Sequence, residues 1–173
     1  MRRSTCAAAL LAALAATPLP AQRPISVGVA GGVSFPQGNF GDVVDVGWHA
    51  LGTLALSTLM QPLGLRLDGA FNEFGLTDEG TQRALSVTLN PTYRLPMTSS
   101  PFSPYVIAGA GAYHLDCSGD ASCDGTTRFG WNAGAGTKVT ALGLRAFVEA
   151  RYHHVAFEGP DVHYVPLTVG LLF

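Results

Sequence analysis

Between residues 81 and 95 apolar and polar side chains take turns. Leu85, Val87, Leu89, Pro91 and Tyr93 form one row, and Ala84, Ser86, Thr88, Asn90, Thr92 and Arg94 form the other. A period of two marks a β-strand with one oily face and one polar face. The same beat returns along the chain and predicts eight strands, over residues 25–34, 43–59, 65–74, 81–95, 105–115, 128–140, 145–157 and 164–173. In the first, a small row of Ser26, Gly28, Ala30, Gly32 and Ser34 backs a row of valines and suits a crowded interior. In the second, Trp48, Ala50, Gly52, Leu54 and Leu56 face out, and Asp45, Gly47, His49, Leu51 and Thr53 face in. Its β-branched entry and two glycines favour strand over helix. In the third, Leu65, Leu67, Gly69 and Phe71 oppose Arg66, Asp68, Ala70 and Asn72, and in the sixth Phe129, Trp131, Ala133 and Ala135 oppose Arg128, Gly130, Asn132, Gly134, Gly136 and Lys138. The eighth sets a wholly apolar row, Val165, Leu167, Val169, Leu171 and Phe173, against a mixed and mostly small one. Pro91 lacks a ladder donor and is expected near a rim.

The connections sort into two classes. Residues 60–64, 96–104 and 141–144 are short and hold no acid or base. Residues 35–42, 75–80, 116–127 and 158–163 carry Asp42, Asp78, Glu79, Asp116, Asp120, Asp124, Glu158 and Asp161, with no Lys or Arg. This alternation exists only if the strands form an up-and-down meander, with both termini at the end that bears the uncharged turns.

The ends and the composition place that meander. Met1-Arg2-Arg3, an Ala/Leu run from Ala7 to Ala16 and a break at Thr17-Pro18-Leu19-Pro20-Ala21 read as a secretory signal peptide, residues 1–21, with residues 22–173 as one domain. The apolar run is too short for a helical span. Hydrophobic residues make up 47% of the chain and charged residues 13%, where a soluble domain carries about 25% charged. A closed barrel in lipid hides its apolar surface without helices, because its backbone is fully paired. The competing fold is a soluble lipocalin-like periplasmic carrier, with oily residues inside, and it lacks the charged exterior such a carrier needs. The formal charge is −2, and loss of Arg2 and Arg3 makes it −2 − 2 = −4. With its few bases scattered, the chain presents no nucleic-acid surface.

The leader, the alternating strands, the Gly-rich inner rows, Pro104-Tyr105 opening a strand and the terminal Phe173 together resemble the small eight-stranded outer-membrane β-barrel proteins, of the outer-membrane protein X type or the membrane domain of outer-membrane protein A. The resemblance covers the whole mature chain. It implies an all-β, eight-stranded antiparallel up-and-down transmembrane barrel in the outer membrane, with periplasmic termini and turns and cell-surface loops. It also implies that Phe173 is an assembly signal read by the barrel assembly machinery, and that lipid and lipopolysaccharide surround the wall. The loops are short for an adhesin.

Candidate chemistry is sparse. Cys117 and Cys123 share one polar segment. Export permits a disulfide between them, worth ~2–3 kcal/mol on the loop-entropy account, and their spacing is neither a redox nor a zinc motif. Asp116, Asp120 and Asp124 recur every four residues; they read as a solvated acidic face, with weak Ca²⁺ or Mg²⁺ binding as the alternative. Arg66, Asp68, Arg94, Lys138, Arg145, Glu149 and Arg151 fall on inner faces. An eight-stranded bore is only wide enough to be filled by side chains, so these charges are expected to neutralise one another, with a narrow channel as the alternative. Some eight-stranded barrels are lipid-modifying enzymes that pair a His with a Ser; neither His153, His154, His114 nor His163 has a serine at the matching position, so no catalytic residue and no cofactor is expected. Tyr93, Tyr105, Tyr113, Phe129, Trp131, Tyr152, Phe157, Tyr164 and Phe173 are expected in two interfacial aromatic girdles. The function this implies is a structural or surface-interaction barrel, with an ion or small-solute channel second.

Overall fold

The computed structural model describes residues 25–57, 62–76, 80–96, 101–118, 123–157, 159 and 161–173, and of Ser57, Cys123 and Asp124 the backbone alone. The leader expected at residues 1–21 lies outside the described residues. The chain forms eight strands: β1 Ile25–Gln37, β2 Gly47–Ser57, β3 Leu63–Gly75, β4 Thr81–Arg94, β5 Phe102–Ser118, β6 Cys123–Ala141, β7 Leu144–Val155 and β8 Val162–Leu172. Each pairs antiparallel with its sequence neighbours, and β8 pairs with β1 to close the barrel. Closure runs to the last residue: Phe173 donates its amide to Val27 O at 2.7 Å and accepts the Val27 amide at 3.2 Å. No strand edge is left open, the condition for crossing lipid.

The wall is inverted relative to a soluble protein. Outward rows are apolar and exposed, as in Val27, Val29, Leu67, Leu85, Val87, Leu89, Leu167 and Val169. Inward rows are buried and polar, with Ser26, Ser34, Thr53, Ser86, Thr88, Asn90, Asn132 and Thr168 all below one-tenth exposed. This polarity removes the soluble-carrier reading, which needs the reverse. Pro91 lacks an amide donor, and the β4–β5 ladder is interrupted around it, between Leu89–Ala110 and Thr92–Ile107.

Several boundaries differ from the sequence reading. The second strand begins at Gly47, not at residue 43. A 3₁₀ turn at Gly38–Phe40 and the following turn drop Phe40 and Val44 into the barrel mouth, where both are buried, and Val44 makes an isolated bridge with Leu76. β5 and β6 run to 17 and 19 residues and absorb most of the expected 116–127 loop. Asp, Ser, Gly and Cys read as loop residues, yet a ladder can continue past the lipid with a polar sequence. A bulge marks the passage, with Asp124 and Gly125 standing opposite Asp116 alone before Cys117 faces Cys123. At the other end β6 turns into β7 through Leu142 and Gly143, with φ of 52° and 78°, the left-handed pair of a two-residue hairpin.

The aromatic girdle also needs correction. Tyr105, Tyr113 and Tyr164 point inward and are 2%, 0% and 0% exposed, and Phe157 packs against the internal apolar cluster. The hydroxyls of Tyr105 and Tyr113 reach Glu149 and His153, contacts that Phe would not make and that an alternation argument alone does not detect. Trp48, Tyr93, Phe129, Trp131 and Tyr152 remain on the outer wall.

A closed ladder of this kind resists SDS until heated. Unboiled protein is expected to migrate apart from boiled protein on SDS gels; identical migration of membrane-extracted material would contradict the closure of β8 on β1.

Candidate functional site

The inner rows converge on four charges. Arg66 and Asp68 lie on β3, and Glu149 and Arg151 on β7, strands halfway round the barrel from each other. In each pair the residues are two apart and share a face. Arg66 Nη1 donates to Glu149 Oε2 at 2.8 Å and Arg66 Nη2 to Asp68 Oδ2 at 3.0 Å. Arg151 Nη2 donates to Asp68 Oδ2 at 2.7 Å, and Arg151 Nε donates to Glu149 Oε1. Each arginine thus touches both acids, and the ring carries no net charge. All four residues are 1–3% exposed.

Neutral partners take up the remaining acceptor sites. Tyr105 donates to Glu149 Oε2 at 2.6 Å, and Asn90 Nδ2 donates to Asp68 Oδ2 at 3.0 Å. Asn132 donates to Asn90 Oδ1 at 2.9 Å, and Arg66 Nε to Thr53 Oγ1 at 3.2 Å. The Arg66 guanidinium also lies 5.2 Å from the Phe147 ring centre. Glycine on the facing strand makes the room: Gly134 pairs with Arg151 and Gly136 with Glu149. A Cβ at Gly134 would lie 2.1 Å from Ala150 O and 2.9 Å from Arg151 Cγ. Buried ions are tolerated when paired and hydrogen-bonded, and each of these four is both.

The other three inner-face cations stand towards the turn end. Arg94 and Arg145 are exposed there, and Lys138 lies 5.4 Å from the Tyr105 ring centre. Arg145 Nη2 donates to Ser26 Oγ at 3.2 Å. Arg66, Arg94, Ser103, Tyr105, Thr92 and Lys138 help line a cavity of about 90 Å³ at that end. They share the parity of the ring but sit where the bore opens, so the expected seven-residue interior network reduces to a ring of four with three cations at its mouth.

Towards the loop end the bore is closed a second time, by rings. Phe40 meets Phe74 edge-on at 5.3 Å, Phe74 meets Tyr164 at 5.6 Å, and Tyr164 stacks on His153 at 4.8 Å. His153 Nδ1 and Tyr113 OH are 2.9 Å apart. Between the two levels, Ser34 Oγ donates to Asn72 Oδ1 at 2.8 Å while His49 Nδ1 lies 3.1 Å from Ser34 Oγ and His49 Nε2 2.9 Å from Thr168 Oγ1. With its one proton committed to Asn72, Ser34 accepts from His49 Nδ1–H, and Nε2 accepts from Thr168. This Ser–His contact joins adjacent strands rather than neighbouring residues, so local spacing in the sequence does not reveal it.

Of the remaining candidates, Phe173 ends the outward row of β8. Cys117 faces Cys123 across β5 and β6. The acidic set is not assembled among the described residues: Asp116 pairs with Arg83 in the β4–β5 register, Asp120 lies outside them, and of Asp124 only the backbone is described.

A closed eight-stranded wall, apolar outside and charge-compensated inside, defines a transmembrane β-barrel of the outer-membrane class. The sequence matches the outer membrane protein beta-barrel domain over residues 6–173, and the chain belongs to that family; it is a protein of the Gram-negative outer membrane. Among solved structures it is similar to Neisserial surface protein A, at 14% identity and a TM-score of 0.70, over 87% of this chain and 96% of that one. It is similar to Ail, the attachment invasion locus protein of Yersinia pestis, at 18% identity and a TM-score of 0.51, over 86% and 96%. It is also similar to the outer membrane enzyme PagL, at 20% identity and a TM-score of 0.54, over 86% and 98%. At these identities the likeness is one of fold. No curated protein sequence matches the chain.

Removing one member of the ring leaves a buried charge without its counter-ion. Glu149→Gln is expected to cost about 3–5 kcal/mol, read as a lower urea midpoint for unfolding in detergent. Adding Arg151→Gln to it is expected to cost less than the two single losses combined. An unchanged midpoint for Glu149→Gln would show that the ring does not hold the barrel together.

Proposed function

We propose that the chain is a plugged structural and surface-interaction barrel, neither a channel nor an enzyme. The observation that carries this reading is the ring of Arg66, Asp68, Glu149 and Arg151, which spans the bore between β3 and β7. The aromatic stack above it supports the same reading. The cavity of about 90 Å³ at the turn end is then a blind vestibule. Purified protein in a planar bilayer is expected to give no reproducible unitary current, and Glu149→Gln none either. Steady currents whose ion preference shifts in Glu149→Gln would put the channel first.

PagL, an enzyme of the same fold, is the reason to weigh catalysis. An acyl-transfer or hydrolytic centre needs a nucleophile within reach of a base and of the substrate. Ser34 and His49 meet the first need and fail the second, being 0% and 4% exposed inside the wall; the Ser34 proton is directed to Asn72 rather than to the imidazole. On the outer wall His114 Nδ1 meets Thr127 Oγ1 at 3.0 Å, both residues exposed, a secondary hydroxyl where the lipid-modifying barrels pair histidine with serine.

The surface part of the reading rests on the loop end, which faces outward where turns are periplasmic. Its connections are acidic and free of Lys and Arg in sequence, so a basic partner or a cation suits them. Neisserial surface protein A and Ail carry names that place them at the cell surface or in attachment. The long β5–β6 hairpin is the structural element we assign to contact there, stapled by a Cys117–Cys123 disulfide that their facing register supports. One measurement tests staple and leader together. The intact mass of exported protein is expected to equal residues 22–173 less two hydrogens; a mass two hydrogens higher, with both thiols open to alkylation, would remove the staple.

A further inference from the structure

On the outer wall at the loop end, three side chains of metal-ligating type converge. His154 on β7 and His163 on β8 are directly paired across the ladder. Their rings stack at 4.8 Å, and their Nδ1 atoms stand 3.2 Å apart. Asp161, just before β8, brings its Oδ2 to 3.9 Å from His154 Nε2. One ligand atom from each of the three lies within 4.8 Å of the others, and all three side chains are half-buried.

The contacts among these groups share one ring nitrogen between two partners. His163 Nδ1 faces Tyr152 OH at 2.8 Å as well as His154 Nδ1 at 3.2 Å. A ring nitrogen offers either one proton or one lone pair, so it satisfies one of the two and leaves the other. Two imidazole nitrogens on one tetrahedral zinc, each about 2.0–2.1 Å from it, stand about 3.3 Å apart. The observed separation of the two nitrogens is close to that edge, and the β7–β8 ladder holds the two residues opposite one another, so a rotation of the stacked rings turns both nitrogens onto one ion. The carboxylate is held from behind, because Asp161 Oδ1 accepts the Phe157 amide at 3.0 Å and Oδ2 is left towards the imidazole. Trp131 packs on the far side of His154 at 5.3 Å and Tyr152 stacks on His163 at 5.6 Å, so neither ring is free to swing away.

We propose that His154, His163 and Asp161 form a binding site for a transition-type divalent cation at the loop-end rim of the barrel wall, with zinc as the probe. Two nitrogens and one carboxylate favour zinc and its neighbours over calcium or magnesium, which take oxygen ligands. Three protein ligands leave a fourth position for water or an outside donor. With the two Nδ1 atoms as ligands, Asp161, whose Oδ2 lies 3.9 Å from His154 Nε2, must move round to the Nδ1 side, so binding draws this loop residue inward.

The test uses tag-free full-length barrel in detergent micelles and zinc alone, followed by equilibrium titration. Wild type is expected to bind one zinc per barrel. His154→Gln and His163→Gln are each expected to weaken binding more than about 10-fold, and Asp161→Asn about 10-fold, taking the effect of a lost supporting ligand as the floor. Separate migration of boiled and unboiled variants checks that each is folded. A thousandfold excess of calcium is expected to leave zinc in place. Should a variant not fold, carbethoxylation of wild-type histidines replaces it: zinc is expected to protect His154 and His163 and to leave His114 reactive. No stoichiometric zinc, full affinity in both folded histidine variants, displacement by calcium, or no protection of the pair would each overturn the site.

Discussion

Everything in this molecule depends on the closure of β8 onto β1. Lipid offers a backbone amide no partner, so each strand must find one on both sides or not cross at all. The Val27–Phe173 bonds complete that circuit at the final residue of the chain. With the edge removed, the period of two does the rest. One face of every strand meets lipid and is apolar; the other is trapped in a bore too narrow for bulk water.

That trapping explains the interior. Charges enter the bore only if they cancel, and the four-residue ring cancels with two cations and two anions. The cross-bore geometry matters as much as the sum. A pair within one strand, such as Arg66 with Asp68, would stabilise that strand alone. Because Arg66 also reaches Glu149 and Arg151 reaches Asp68, walls on opposite sides are joined through the lumen. Tyr105 and Asn90 donate to the two acids, so losing either leaves an acceptor lone pair unmet on a buried ion.

Much of this was legible from alternation alone. Inward and outward rows follow from period two, and Arg66/Asp68 and Glu149/Arg151 declare their shared faces by being two apart. What alternation cannot supply is register between distant strands. It gives no sign that His154 faces His163, that Ser34 meets His49, or that Tyr105 reaches Glu149 from another strand. Nor does it mark where membrane ends and strand continues. β5 and β6 carry their ladder through Asp116, Cys117 and Ser118 because polar strand residues are stable once past the lipid. The entry to β2 misled for the opposite reason: Val43 and Val44 look like strand, yet a 3₁₀ turn uses Val44 as a stopper for the barrel mouth.

The two levels of filling divide the labour of the sequence. The lower level is electrostatic and exacting, since each substitution must keep the sum of charges at zero. The upper level is apolar and aromatic, where Phe40, Phe74, Tyr164 and His153 pack by shape. The four charged residues of the lower level all have their partners inside the wall. Reactive groups with access to the outside therefore collect where the ladder leaves the lipid, among the aromatic residues of the loop-end rim. Residues at that rim can change without disturbing the charge balance that joins the walls through the lumen.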